Sequence, residues 1–199
     1  METIVLASNN QHKIKEFKKI MTDYNIVAMG EVGFTGDIVE DGKTLLENSL
    51  IKSKTIAKFL KTKGLNYMVM ADDTGLEIDA LNGEPGIYSA RYAGDHNSEA
   101  NRKLVLEKMK NFSDPHRTAH FTCVISLIKP DGTTLIAVGK VEGKILDHEI
   151  GDTSFGYDCI FYSDELQKSF GECSDDDKNK VSHRGRAIEN LLKQLGWEK

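Results

Sequence analysis

Cysteine and proline are scarce in this sequence, at three positions each among 199 residues, and tryptophan occurs once. Cys123, Cys159 and Cys173 are odd in number and far apart, with no CxxC pair and no Cys/His spacing of the zinc type. A disulfide or zinc framework is therefore excluded, and the thiols read as reduced side chains of a reducing compartment. No stretch approaches the roughly 18 consecutive apolar residues that a membrane span requires. The start, Met1-Glu2-Thr3, leads straight into the apolar run Ile4 to Ala7, without the basic segment or cleavage site of a secretory signal, so the expected location is cytoplasmic. Positive charge is also in deficit: 26 Lys and Arg face 31 Asp and Glu, a net charge of −5. An acidic surface repels the backbone of DNA and RNA and the headgroups of anionic lipid, so neither polymeric nucleic acid nor a membrane is an expected partner. Any polyanionic ligand must meet a local group of placed cations. Scarce proline with 39% hydrophobic residues excludes a disordered chain, and there is neither an internal repeat nor a low-complexity linker.

What is present suits one domain, residues 1–199, with a full hydrophobic core and room for a small lobe. Thr3 to Ala7 predicts a strand, Ser8-Asn9-Asn10 a turn, and Ile14, Phe17, Ile20 and Met21 recur at helical spacing. Asn25 to Met29 predicts a second strand. A Gly- and acid-rich loop from Gly30 to Gly42 precedes Thr44, whose spacing to Glu47 is that of a capping box. The helix that follows is expected to reach Lys61, with Leu46, Leu50, Ala57 and Leu60 inward. Met68 to Ala71 reads as a compact strand ending at Asp72-Asp73-Thr74-Gly75, with extended chain again from Leu76 to Ala80. Asn82 to Gly94 is a structured loop, and Ser98 is the expected cap of a helix through Met109. Ala119 to Ile128 and Thr134 to Val141 pair across Pro130-Asp131-Gly132 as a hairpin. Cys159 to Tyr162 predicts a further strand, and Ser182 to Leu195 an amphipathic helix stopped by Gly196. Helices and strands that interleave early and strands that pair later indicate an α/β protein with a mixed β-sheet.

Four clusters carry candidate chemistry. Ser8, Asn9, Asn10, Gln11, His12 and Lys13 link a strand to a helix start, where backbone N–H groups and the helix dipole suit a phosphate; equally, Ser8 to Asn10 is a plain cap and Lys13 a solvated surface lysine. The glycines of a Walker A loop are missing. Glu40 and Asp41 precede a helix, and Asp72 and Asp73 end an apolar strand. Such carboxylates at strand ends suit Mg²⁺ and the activation of water, whereas an Asx turn before Gly75 explains the aspartates without a ligand. Phe155-Gly156-Tyr157-Asp158, after Ser154, offers either an aromatic face for a base or core residues around a bulge. Lys178, Ser182, His183 and Arg184 surround the start of the last helix, where an arginine can fork onto a phosphate or a purine carbonyl. The acidic run Asp175 to Asp177 just before them reads as a solvated loop.

In this order the clusters resemble the noncanonical purine nucleoside triphosphate pyrophosphatases, also called inosine or xanthosine triphosphate pyrophosphatases. The resemblance rests on Ile4 to Asn10, the block ADDTGLEIDALNGEPGIYSARYAG at residues 71–94, FGYD at 155–158 and SHRGRAI at 182–188. It implies a long curved mixed β-sheet flanked by helices, in two lobes with the active site in a central cleft, and a homodimer. It also implies Mg²⁺-dependent hydrolysis of ITP, dITP and XTP between the α- and β-phosphates, giving the monophosphate and pyrophosphate. Carried over by position, Ser8 to Lys13 resemble the phosphate-binding turn, and Lys52 a further phosphate contact. Glu40 and Asp73 match the Mg²⁺ ligands, with Asp73 as the proton acceptor for the attacking water and Thr74 beside the nucleotide. Phe155, Gly156, Tyr157 and Asp158 match the base-binding strip, Lys178 another substrate contact, and His183 with Arg184 the pair that reads the purine six-position. A carbonyl there, in place of adenine's amino group, satisfies these donors, and a site built on a specific hydrogen bond rejects the wrong partner by on the order of 10⁴.

Family members commonly have a glycine-rich approach to the FGYD strip and a proline directly after it. Here the approach is Gly151-Asp152-Thr153-Ser154 and the following residue is Cys159, which bears on base selectivity rather than on the reaction. Two rival classes remain. A nucleotide sensor needs the cations and aromatics but not both Glu40 and Asp73, and a phosphatase releasing orthophosphate would use the same metal on a different bond.

Overall fold

The two apolar runs nearest the N-terminus become β1 (Glu2–Leu6) and β2 (Tyr24–Ala28), parallel neighbours connected by α1 (Gln11–Ile20), in a computed structural model that describes residues 1–94, 96–152 and 155–196. Asn10 caps α1, its Oδ1 accepting from the N–H groups of His12 and Lys13 at 3.0 and 3.3 Å. Successive β1 residues point to opposite faces. Ile4 and Leu6 pack with Phe17, Met70, Ile188 and Leu191, while Val5 and Ala7 pack with Ile56, Leu60 and Val69.

The second face is covered by α2 (Leu45–Thr62), and here the expected pattern needs correction. Thr44 Oγ1 accepts from the Glu47 N–H at 3.1 Å, but the Glu47 carboxylate accepts from the N–H of Lys43, one residue before the cap, so the box is not reciprocal. The buried stripe is Asn48, Ser49, Lys52, Ser53, Ile56 and Leu60, whereas Leu46 is exposed. Small hydroxyl residues let the helix approach the sheet closely. Ser49 donates to the Ala71 carbonyl at 3.0 Å, and Ser126 donates to Ser53 and lies against Ser49, both at 2.8 Å.

A larger correction concerns β3 (Met68–Ile78), which runs without a break through Asp72-Asp73-Thr74-Gly75. The aspartates are therefore mid-strand residues and not an Asx turn. A 3₁₀ turn at Asp79–Leu81 follows, then β4 (Pro85–Gly86), which pairs back onto β3, and a second 3₁₀ turn at Ser89–Arg91. In α3 (Ser98–Met109) the cap is Asn97 rather than Ser98, its side chain accepting from the Ala100 N–H at 3.0 Å. The hairpin forms as β5 (Thr118–Ile128) and β6 (Thr134–Ile145), the latter extending beyond the expected Val141. Asp158–Ile160 is a 3₁₀ turn, so the next strand, β7 (Phe161–Ser163), starts later than expected, and β8 (Lys168–Ser169) pairs with it.

The acidic run is not a loop but the first turn of α4 (Asp175–Val181), capped by Ser174. Three carboxylates at the positive end of a helix dipole stabilise that end. The chain closes with α5 (His183–Gln194), whose start is capped by Ser182 Oγ on the Gly185 N–H at 3.0 Å. The sheet has eight strands in the order β2-β1-β3-β5-β6-β7-β8, with β4 on β3; it is parallel at β2-β1-β3 and antiparallel at β6-β7-β8. The expected mixed α/β architecture is therefore the observed one.

The chain divides into two compact units. One comprises Met1–Asp73, Cys123–Gly139 and the chain from Arg186, and holds both faces of the parallel strands. The other, Thr74–Thr122 and Lys140–Gly185, has its own core of Leu76, Ile78, Val105, Met109, Phe121, Phe161 and Phe170. In the second unit Arg117 is 8% exposed, and its guanidinium donates to the carbonyls of Met109, Phe112, Ile145 and Leu146, which gives the last carbonyl of α3 a buried partner. Among the described residues no helix is long and apolar enough to cross a membrane.

Candidate active site

In the first unit, the turn from β1 into α1 exposes Asn9, Asn10, Gln11 and His12, with Ser8 and Lys13 half-buried. Ser8 Oγ accepts from the Asn10 N–H at 3.1 Å, and Asn9 Oδ1 from the Gly30 N–H at 3.0 Å, so the turn is held by its own side chains. Lys13 reaches back to Asp72, Nζ to Oδ1 3.0 Å, with the carboxylate almost fully buried. On the neighbouring residue the pattern repeats. Lys52 Nζ lies 3.0 Å from Asp73 Oδ1 and 2.8 Å from Glu40 Oε2. Asn48, one helical turn before Lys52, donates to Asp73 Oδ2 at 3.3 Å and accepts from the Gly42 N–H at 2.9 Å, which ties the loop carrying Glu40 to the strand carrying Asp73.

The electrostatics follow from burial. Burial pushes the Asp73 carboxyl above the usual carboxylate range, against the opposing pull of Lys52 and Lys13. Burial alone would lower Lys52, but the carboxylates of Asp73, Asp72 and Glu40 outweigh it and hold the ammonium above the ordinary lysine range. Lys52 therefore stays charged while Asp73 is a stronger proton acceptor than a solvated aspartate. Glu40 and Asp73 both reach the Lys52 ammonium, so their carboxylate oxygens lie near one another. Among the described residues no closed cage of three or more His, Cys, Asp or Glu side chains is present. An open pair of carboxylates fits a hard divalent ion that keeps waters and takes further oxygens from a phosphate.

In the second unit Thr74, next in the chain to Asp73, accepts from Arg184 Nη2 at 3.5 Å. Arg184 and His183 are 4% and 5% exposed, and His183 stacks on Phe121 with ring centroids 4.7 Å apart and planes 18° from parallel. Lys178 and Asp158 form a buried ion pair, Nζ to Oδ2 2.6 Å, and the same ammonium sits 5.7 Å from the Phe155 ring centroid. Of the two aromatics in the strip, Phe155 is half-buried and Tyr157 is 4% exposed. The Tyr157 hydroxyl donates to the Ser89 carbonyl at 2.6 Å, and burial pushes this phenol far above its ordinary range. Tyr157 thus packs as a core residue and leaves Phe155 as the ring of the strip with partial exposure. Ser154 and Thr153 lie outside the described residues.

The expected residues are therefore gathered in two groups: Ser8 to Lys13 with Glu40, Lys52 and Asp73, and Thr74 with Phe155 to Asp158, Lys178, His183 and Arg184. Sequence reading missed Asn48 and the pairing of Lys13 with Asp72. A buried asparagine four residues before a candidate lysine on one helix face was the available signal, hidden because apolar periodicity pointed to Leu46 and Leu50 instead.

A model of the Ham1 family matches residues 4–194. A dITP/XTP pyrophosphatase of Clostridium perfringens is 49% identical over 199 residues, covering 98% of each chain. The structure of the Staphylococcus aureus Ham1 protein is 46% identical, covers 100% of both chains and superposes with a TM-score of 0.85. A nucleoside-triphosphatase, or dITP/XTP pyrophosphatase, of Mycobacterium abscessus gives 33% identity and a TM-score of 0.74, over 96% of this chain and 98% of that one. With near-complete coverage by sequence and by backbone, this chain belongs to the Ham1 family.

Proposed function

We propose that the chain hydrolyses dITP, XTP and ITP to the nucleoside monophosphate and pyrophosphate, which keeps deaminated purines out of DNA and RNA. The relatives named dITP/XTP pyrophosphatase support the substrate class. The observation that carries the chemistry is the meeting of Glu40 and Asp73 on Lys52 Nζ, at 2.8 and 3.0 Å. Phosphoanhydride hydrolysis needs positioning and neutralised charge more than a covalent nucleophile, and this cluster supplies both.

Lys13, Lys52 and the positive end of α1 take the phosphates. Asp73 accepts the proton of the attacking water, and its raised basicity and fixed orientation between Asn48 and Lys52 serve that role. Glu40 and Asp73 are the residues to hold Mg²⁺, which when bound would neutralise phosphate charge and polarise the reacting oxygens. In the second unit Phe155, Gly156 and Asp158 take the purine, with Tyr157 as their buried support. His183 and Arg184 donate to its six-carbonyl, Thr74 contacts the nucleotide, and Lys178 steadies Asp158 and adds a cation. The unbroken match over residues 4–194 supports reading 1–199 as one pyrophosphatase domain. The net charge of −5 supports a monomeric nucleotide over a nucleic-acid strand, and the absence of a disulfide at all three cysteines agrees with a cytoplasmic enzyme. The working assembly is taken to be a homodimer, as the family resemblance implies.

The test is to incubate the protein with ITP, dITP, XTP, GTP and ATP plus Mg²⁺ and to identify the products. IMP and pyrophosphate from ITP, with ATP nearly untouched, is the expected result. IDP and orthophosphate would assign a different bond and remove this reading.

A further inference from the structure

The strip at residues 155–158 is held from behind by a buried arginine that no part of the proposed chemistry uses. Arg102, on α3, is 4% exposed. Its Nε donates to Glu149 Oε1 at 2.8 Å and its Nη1 to the carbonyl of Gly156 at 3.1 Å. Gly156 has φ +54, a left-handed conformation that glycine adopts without a Cβ clash. Because the peptide unit is planar and trans, holding the Gly156 carbonyl also fixes the direction of the N–H of Tyr157 on the opposite edge. The rest of the strip has separate anchors: Tyr157 on the Ser89 carbonyl, and Asp158 on Lys178.

Glu149 completes the support. Its half-exposed carboxylate takes the Arg102 Nε, and the chain beside it joins the first residue after the strip. The backbone reinforces the same junction, with the Ile150 N–H on the Cys159 carbonyl and the Leu146 N–H on the Ile160 carbonyl, both at 2.8 Å. Burying a guanidinium is costly unless its geometry is well matched, and here its bonds include one to a half-exposed carboxylate and one to a strip carbonyl.

We propose that Arg102, oriented by Glu149, is a positioning residue for purine recognition: it sets the peptide plane of Gly156–Tyr157 and with it the base-binding edge of the strip. The inference rests on the functional reading above, and it places base selectivity partly in α3, outside the strip itself. Loss of the fork should weaken base binding while leaving the carboxylate–lysine cluster intact. KM should therefore move and kcat should not.

The experiment compares the full-length wild type with Arg102→Lys, Arg102→Gln and Glu149→Gln, measuring kcat and KM for ITP and the affinity for IMP by calorimetry. Arg117→Gln serves as the control, since Arg117 is an equally buried arginine of the same unit that holds carbonyls outside the strip. Both arginine losses should lower the unfolding midpoint. The Arg102 variants should raise KM and the IMP Kd about ten-fold with kcat within about two-fold, and Glu149→Gln, whose half-exposed side chain tolerates the change, about three-fold. Arg117→Gln should leave both constants within about two-fold of wild type. Unchanged KM and IMP affinity in the Arg102 and Glu149 variants, or an equal rise in Arg117→Gln, would overturn the assignment. If the wild type binds IMP but does not hydrolyse ITP, the functional reading fails while the IMP affinities still decide the positioning role. A wild type that does neither overturns both.

Discussion

Lys13 Nζ lies 3.0 Å from Asp72 Oδ1, an ion pair formed across 59 residues of sequence with the carboxylate side almost closed to solvent. It divides the labour of two adjacent aspartates. Asp72 is tied to α1, the helix that follows the candidate phosphate-binding turn, while Asp73 faces Lys52 and its partner Glu40. A double acid in the middle of a strand is stable because each carboxylate has its own lysine.

Lys13→Met should therefore act on both stability and binding. Removing one partner of a largely buried pair leaves the Asp72 charge poorly compensated, at a cost on the order of 3 kcal/mol. Urea denaturation should register that loss, and KM for dITP should rise. Unchanged stability would mean that Asp72 is neutral or held by other groups.

The Lys178–Asp158 pair, at 2.6 Å with both side chains under a tenth exposed, invites a double-mutant cycle. Lys178→Met should cost about 3–5 kcal/mol, because it strands a buried carboxylate, while adding Asp158→Asn should recover a sizeable part. Both variants should lose nucleotide affinity. Simple additivity of the two stability losses would contradict the direct coupling.

Gly185 sits where α5 meets the end of α4, and a Cβ there would lie 1.8 Å from the Asn179 carbonyl oxygen. Gly185→Ala must push the first turn of α5 away, with a cost of about 3 kcal/mol. His183 and Arg184 belong to that turn, so KM for ITP should rise alongside a lower unfolding temperature. An unchanged melting curve would mean that the two helices separate without penalty.

Burial pushes the Cys159 thiol up to about 11. Below the ordinary cysteine range both folded and unfolded chains hold the proton, and any stability linked to it is fully present. As pH rises from about 9 towards 11 the unfolded chain ionises and the folded one does not, so stability falls. Urea titrations across that window should find the wild type losing stability relative to Cys159→Ala, with the gap between them constant at pH 7 to 8. In native protein at pH 8 this thiol should also react slowly with iodoacetamide. A pH-independent difference between the two proteins would place Cys159 in a solvent-like environment.

Much of this was legible in the sequence where hydrophobic periodicity and structure coincide. α1, β1, β2, the β5–β6 hairpin and α5 follow from spacing alone, because each buries one apolar stripe or alternates between faces. Legibility failed where polar residues were buried. The inward face of α2 carries Asn48, Ser49, Lys52 and Ser53, whose partners come from distant strands, and so the leucines gave the wrong stripe. β3 continues through Asp72 and Asp73 because lysines from α1 and α2 neutralise them, information that no local window contains. The run Asp175 to Asp177 looked solvated, yet with Ser174 as its cap it opens a short helix. The candidate site residues were named by motif resemblance, whereas Asn48, Arg102 and Glu149, which brace Asp73 and Gly156, were invisible until the fold brought them together.

The most direct measurement is turnover of dITP by Asp73→Asn beside its nucleotide affinity. The amide keeps the shape and one hydrogen-bonding oxygen but cannot take a proton from water, so turnover should fall by roughly 10²–10⁴ while nucleotide binding remains measurable. Near-normal turnover in Asp73→Asn would contradict the assignment of the proton-accepting role to this carboxylate.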